Sequence, residues 1–169
     1  FYVSFACAFA FAENKKMEGN AKIIRFIARD ESIHLAITTQ LLKILEQDDP
    51  DYIKIKEKHK PEAINIFVNA IEAEKRWAKY LMKDGSMLGL NEKLLSDYGE
   101  WIGHKRMKAV GLESPYSPGR TNPLPWMDHW TEAKAVQVAP QEVSVSSYLI
   151  GDIKYDGDVL RNNLKGFKL

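Results

Sequence analysis

The sequence predicts an all-α protein, part of a helical bundle followed by an irregular proline-rich segment and a flexible tail. Three observations carry this reading. Apolar residues recur at three- and four-residue steps through residues 1–112, the period of a helix with one buried face. Candidate caps and stops punctuate that stretch at the expected places, with Asn91 before one run and Gly111 after it. Five of the seven prolines (Pro115, Pro118, Pro123, Pro125 and Pro140) then fall after Glu113, where the helical period ends.

The first helix spans Phe1 to about Ala12, where the small residues Ser4, Ala6, Cys7 and Ala8 are interleaved with aromatics. Apolar side chains on every face predict surroundings that are mostly protein. The second runs from roughly Glu18 to Glu46, with Ile23, Ile27, Ile37 and Leu41 along one face and Asp30 and His34 inside the same stripe. The third is expected from Pro61 to Lys83, its proline in the first turn and Ile64, Phe67, Val68, Ile71 and Trp77 on a helical period. The fourth runs from Asn91 to about Val110, with Leu94, Leu95, Tyr98, Trp101 and Ile102 as its apolar positions. Residues 113–135 are expected to be irregular. Residues 136–169 carry too few apolar clusters to offset the entropy of ordering, apart from a sticky end at Phe167 to Leu169.

Composition excludes several functions. The 24 Lys and Arg against 23 Asp and Glu leave a formal charge of +1, so nucleic acid or an acidic membrane gains nothing from bulk electrostatics. The apolar run Phe1–Ala12 is too short to span a bilayer and lacks a basic region in front of it. One cysteine, Cys7, makes no internal disulfide and no zinc pair, which fits a reducing, cytoplasmic setting. The chain opens without methionine in an uncapped helix, and a fragment of a longer protein is the expectation.

The chemistry sits in Arg29-Asp30-Glu31-Ser32-Ile33-His34. Glu31 and His34 are three apart on a helix, so both side chains can reach one metal ion. A carboxylate oxygen with an imidazole nitrogen suits iron or manganese, and Asp30 is placed to accept a hydrogen bond from a ligand. Polar groups on an apolar stripe need partners, because burying an unpaired charge is costly. A purely structural Asp30–Arg or Glu31–Lys pair across the bundle would produce the same pattern, so spacing alone leaves both readings open.

Five stretches reach further: FYVSFACAFAFAENKKMEGNAKIIRFIARDESIHL, DGSMLGLN, RMKAVGL, NPLPW and VQVAPQEVSVSSYL. Together, and in this order, they resemble the C-terminal half of the small, radical-generating subunit of class I ribonucleotide reductase, of the enterobacterial and T-even phage type. The resemblance implies a ferritin-like bundle that holds two irons, whose reaction with dioxygen oxidises a tyrosine to a stable radical. It implies that Glu31 and His34 are the second E-x-x-H of the iron site. Asp30 matches a carboxylate of the radical-transfer network, and Phe1, Phe5 and Ile27 match the apolar wall around the radical. Glu142 matches an acidic residue that couples the subunits, and Tyr148 a tyrosine that relays the oxidising equivalent to the large catalytic subunit. The segment from Tyr148 to Leu169 matches the peptide that docks on that partner, although Lys165 and Lys168 depart from the acidic tails of some relatives. A homodimer of the intact subunit is also implied.

The same resemblance marks what this chain lacks: an upstream aspartate, a first E-x-x-H, the radical tyrosine and a glutamate expected four residues before Phe1. Glu13 matches a non-ligand position and does not replace them. By itself the chain is therefore expected to be inactive. Two other readings use the same residues: a different ferritin-like di-metal oxidase, and a non-catalytic helical module that keeps the docking tail.

Overall fold

The computed structural model describes residues 2–131, which form five helices: α1 (Tyr2–Glu13), α2 (Glu18–Asp48), α3 (Pro50–Leu81), α4 (Glu92–Ala109) and α5 (Met127–Thr131). Phe1, Glu142, Tyr148 and the whole expected tail, 136–169, lie outside the described residues.

Helix α1 is the centre of the bundle, touching the other four. Val3, Phe5, Ala6, Phe9, Ala10 and Ala12 are buried, as its interleaving of small and aromatic residues predicts. Alanines let neighbouring backbones approach while the phenylalanines fill the space between them. The principal core gathers around these side chains with Leu90, Leu95, Tyr98, Leu124 and Met127. A smaller cluster of Ile71, Met107 and Leu112 joins α3 to the end of α4.

The third helix begins eleven residues earlier than the sequence reading placed it, at Pro50 rather than Pro61. Asp49 caps it, its carboxylate accepting from Asp51 N at 2.9 Å, and Pro50 occupies the first turn, where no backbone donor is needed. Pro61 instead lies inside the helix. A Lys56–Glu46 ion pair braces the one-residue link between α2 and α3.

Helix α4 follows its predicted signals closely. Asn91 Oδ1 accepts from Leu94 N at 2.8 Å, and the chain leaves the helix through Gly111 at φ 75°. Helices α3 and α4 pack tightly at Gly103, which faces the buried Ile71. Beyond α4, Tyr116 donates to Glu72 Oε1 at 2.9 Å, and Lys75 bridges Glu72 at 3.0 Å and Glu100 at 2.9 Å. This polar knot ties the irregular segment to α3.

The short α5 within that segment has no counterpart in the sequence reading. Trp130 anchors it, stacking on Phe9 at 5.0 Å between ring centres and donating to Glu13 Oε1 at 2.7 Å. Arg25 donates to His129 O at 3.3 Å and lies over the Trp130 ring.

The apolar stripe of α2 is a second correction. Ile23, Ile27, Ile37 and Leu41 face outward, with Ile23 57% and Ile37 61% exposed. The face turned inward is rich in small residues, with Ala21 and Ala28 buried and Ser32 and Thr39 half-buried, beside Ile24, which packs on the principal core. Ser32 and Thr39 hydroxyls satisfy themselves on the carbonyls of Ala28 and Leu35, so they enter the interface at little cost.

Candidate metal centre

Glu31 and His34 project from adjacent turns of α2, with His34 Nδ1 3.7 Å from Glu31 Oε2. Both open onto a cavity of about 510 Å³ between α2 and the packed ends of α1, α4 and α5, whose wall includes Tyr2, Phe5, Tyr98 and Trp101. Two donors at this separation can share one ion, the oxygen accommodating an oxidised metal and the nitrogen fixing its direction. Among the described residues no cluster of three or more potential ligands exists, so the pair supplies part of a coordination sphere. The side chains of Glu31 and His34 are 50% and 68% exposed, which suits donors whose further partners come from elsewhere.

The structure sorts the other candidates. Phe5 is buried and lines the same cavity as Glu31 and His34, which places an apolar wall beside the two donors. Ile27 does not join it; it stands on the outward stripe. Asp30 does not face a histidine either: its Oδ1 accepts from Arg29 Nε at 3.1 Å and Nη2 at 3.0 Å. The arginine is the adjacent Arg29 on the same helix, not one across the bundle as the alternative reading had it. Phe1, Glu142 and Tyr148 lie outside the described residues.

Several cavity residues carry no sequence signal as site residues. Tyr98 and Trp101, 6.1 Å apart between ring centres, read only as apolar positions of α4, since a helical period cannot say which cavity a ring lines. Burial raises the Tyr98 phenol well above its ordinary range, so it stays protonated at any physiological pH. Arg106 Nε donates to Tyr2 Oη at 3.1 Å, holding both on the cavity wall.

A bundle of helices presenting an E-x-x-H pair beside an aromatic wall matches half of the ligand pattern of the ferritin-like carboxylate–histidine class, whose full sites carry two such pairs. The family model "Ribonucleotide reductase, small chain" matches residues 1–123, and the chain belongs to that family. It is 56% identical over its whole length to the ribonucleoside-diphosphate reductase subunit beta of Haemophilus influenzae, of which it covers 45%. Against the corresponding subunit of Enterobacteria phage T4 the identity is 42%, over 94% of this chain and 42% of the relative. A solved ribonucleotide reductase R2 subunit from Clostridium botulinum superposes on 77% of this chain and 40% of its own, with a TM-score of 0.69 and 26% identity. The chain thus spans less than half the length of the relatives it matches.

Proposed function

We propose that this chain is the C-terminal part of a ribonucleoside-diphosphate reductase small subunit, an oxidoreductase component that passes an oxidising equivalent to a large catalytic subunit. The observation that supports it best is the shared cavity of Glu31, His34 and Phe5, since donors and apolar wall are the two things such a centre requires. Glu31 and His34 hold one iron of a di-iron pair, the carboxylate balancing its charge and the imidazole orienting it. Iron, when bound, supplies the one-electron oxidising chemistry. Phe5, with Phe1, keeps water and reductants from the radical. Asp30 and Tyr148 belong to the path along which proton and electron leave, with Glu142 coupling the subunits. The segment from Tyr148 to Leu169 docks on the large subunit, its terminal Phe167 and Leu169 serving as apolar anchors. The completed subunit is a cytoplasmic homodimer. Among the described residues no helix is long and apolar enough to cross a membrane.

The test supplies the remainder of the fold in trans. This chain is mixed with a polypeptide carrying the preceding half of a relative, and iron content and the tyrosyl-radical signal in electron paramagnetic resonance are measured. Iron uptake and a radical are expected from the mixture and from neither piece alone. Glu31→Ala with His34→Ala is expected to remove both, whereas deleting residues 148–169 removes only large-subunit binding. Unchanged iron uptake in the Glu31/His34 double variant would refute the proposal.

A further inference from the structure

The wall of the donor cavity is a row of oxidisable rings. Tyr2 meets Tyr98 edge-on at 6.4 Å between ring centres, Tyr98 stacks on Trp101 at 6.1 Å, and all three line the cavity with Glu31 and His34. Under the proposed function, on which this inference rests, an oxidising equivalent is made at those donors, and electron-rich rings on the same wall compete for it. Oxidising such a ring moves one electron to the centre and the O–H or N–H proton to a base, leaving a neutral ring radical. The equivalent would then be lost to the wall.

Each end of the row lies beside a cation. Arg106 Nε donates to Tyr2 Oη at 3.1 Å, and its guanidinium stands 5.8 Å from the centre of the Tyr2 ring. Lys105 Nζ stands 5.0 Å from the centre of the Trp101 ring. These are neighbouring positions of α4: Lys105 lies one turn beyond Trp101 on the same helix, while Arg106 turns toward α1. A cation attracts an electron-rich ring face and opposes the positive charge that grows on the ring as an electron leaves. The guanidinium also fails as a base. It is always protonated and has no acceptor atom, so it occupies a lone pair of the Tyr2 oxygen and offers the phenolic proton no destination. Between the two ends Tyr98 is only 3% exposed, and burial keeps its proton in place.

We propose that Arg106 and Lys105 are electrostatic guards, which keep Tyr2 and Trp101 reduced while the neighbouring centre is oxidised. They act through the rings beside them. Arg106 is the stronger of the two, because it is half-buried and combines charge with a hydrogen bond to the atom that would lose its proton. Lys105 is exposed, so water screens its charge and its effect on Trp101 is smaller.

The experiment needs no metal. The full 169-residue chain is exposed to the azide radical, a small neutral one-electron oxidant made by radiolysis of aerated azide solution. The radical takes an electron from a ring and becomes azide, and the ring's proton passes to solvent. Oxygen adducts at each tyrosine and tryptophan are mapped by peptide mass spectrometry and normalised to Tyr52, with circular dichroism verifying that each variant remains helical. Arg106→Gln, which keeps a donor and loses the charge, is expected to raise oxidation at Tyr2 about tenfold and to leave Trp101 unchanged. Lys105→Gln is expected to raise it at Trp101 about threefold and to leave Tyr2 unchanged. Arg106→Lys and Lys105→Arg keep the charge and should stay near wild type. Unchanged oxidation of Tyr2 in Arg106→Gln would overturn the inference. An equal rise in Arg106→Lys would do so too, since bulk and not charge would then be the shield, as would a rise at every ring, which is general loosening. Failure here leaves the proposed metal role untouched, because no iron is involved; failure of iron uptake in the mixed halves would leave the guards measured with no centre to guard.

Discussion

Replacing Gly103 by alanine sets a methyl group 2.6 Å from Ile71 Cγ1 and closer still to its Cδ1. Atoms that near must separate by about 1 Å to reach ordinary contact. Ile71 is only 5% exposed, and the cavity of about 380 Å³ that it lines with Gly103 lets its tip relax only in part. Overpacking of this kind costs about 1–3 kcal/mol, against which the better helix propensity of alanine returns about 1 kcal/mol. Gly99, one turn earlier on α4, has nothing within 4 Å of the corresponding methyl position. There only the propensity gain of about 1 kcal/mol remains. The two variants should therefore have opposite signs, Gly99→Ala raising and Gly103→Ala lowering stability, with a separation of about 2 kcal/mol, or roughly 4–8 °C in Tm. Urea melts followed at 222 nm would measure it. Trimming the obstacle with Ile71→Val should recover part of the loss in the Gly103→Ala background. Equal stability of the two alanine variants would refute the reasoning, because it would mean α3 and α4 separate freely at this crossing.

Two further outcomes follow from the polar knot and from α5. Glu72 is held below its usual 4.5 by hydrogen bonds from Lys75 and Tyr116, so its contribution to stability is present above that value and lost as pH falls through the lowered one. Lys75 is raised above 10.5 by Glu100 and Glu72, and burial with the Glu72 contact pushes the Tyr116 phenol up to about 12. Their contributions are present below about pH 10 and lost above it, so the pH dependence of the urea midpoint that wild type shows outside a plateau from about 5 to 10 should be weaker in Glu72→Gln. Trp130→Ala removes both the stack on Phe9 and the bond to Glu13, and should destabilise by about 2–4 kcal/mol, read as an earlier thermal transition; Trp130→Phe, which keeps a ring over Phe9, should lose roughly half as much.

What the sequence disclosed depended on how local the signal was. The Asn91 cap and the Gly111 exit rest on a few adjacent atoms, and both are found where residue type alone put them. The start of α3 was equally local in principle, since Asp49-Pro50 is a cap followed by a first-turn proline. It was obscured because residues 51–60 are rich in lysine and carry few apolar positions, so no period announced a helix there. The α2 stripe shows the opposite limit. Its periodicity correctly marked an apolar face, but the face that packs within the described chain sets alanine, serine and threonine beside Ile24 and Leu35, and the small residues register weakly on any hydrophobic count. A period reveals that a face wants covering and says nothing about what covers it. For the candidate centre, the E-x-x-H spacing singled out Glu31 and His34, which line one cavity, whereas Tyr98 and Trp101 needed the fold to bring α4 beside them.

The clasp of Trp130 on Glu13 joins residues 117 positions apart. On a ribosome adding about 5–20 residues per second, the strongly apolar α1 therefore waits roughly 6–23 s before Trp130, its partner at the far end of the described residues, has been made. Closing so wide a loop costs little more free energy than closing a shorter one, since the entropy grows only with the logarithm of length. The delay is a matter of time more than of energy. Throughout it Phe9 lacks the ring that will stack on it, and the nascent helix is open to chaperones and to aggregation.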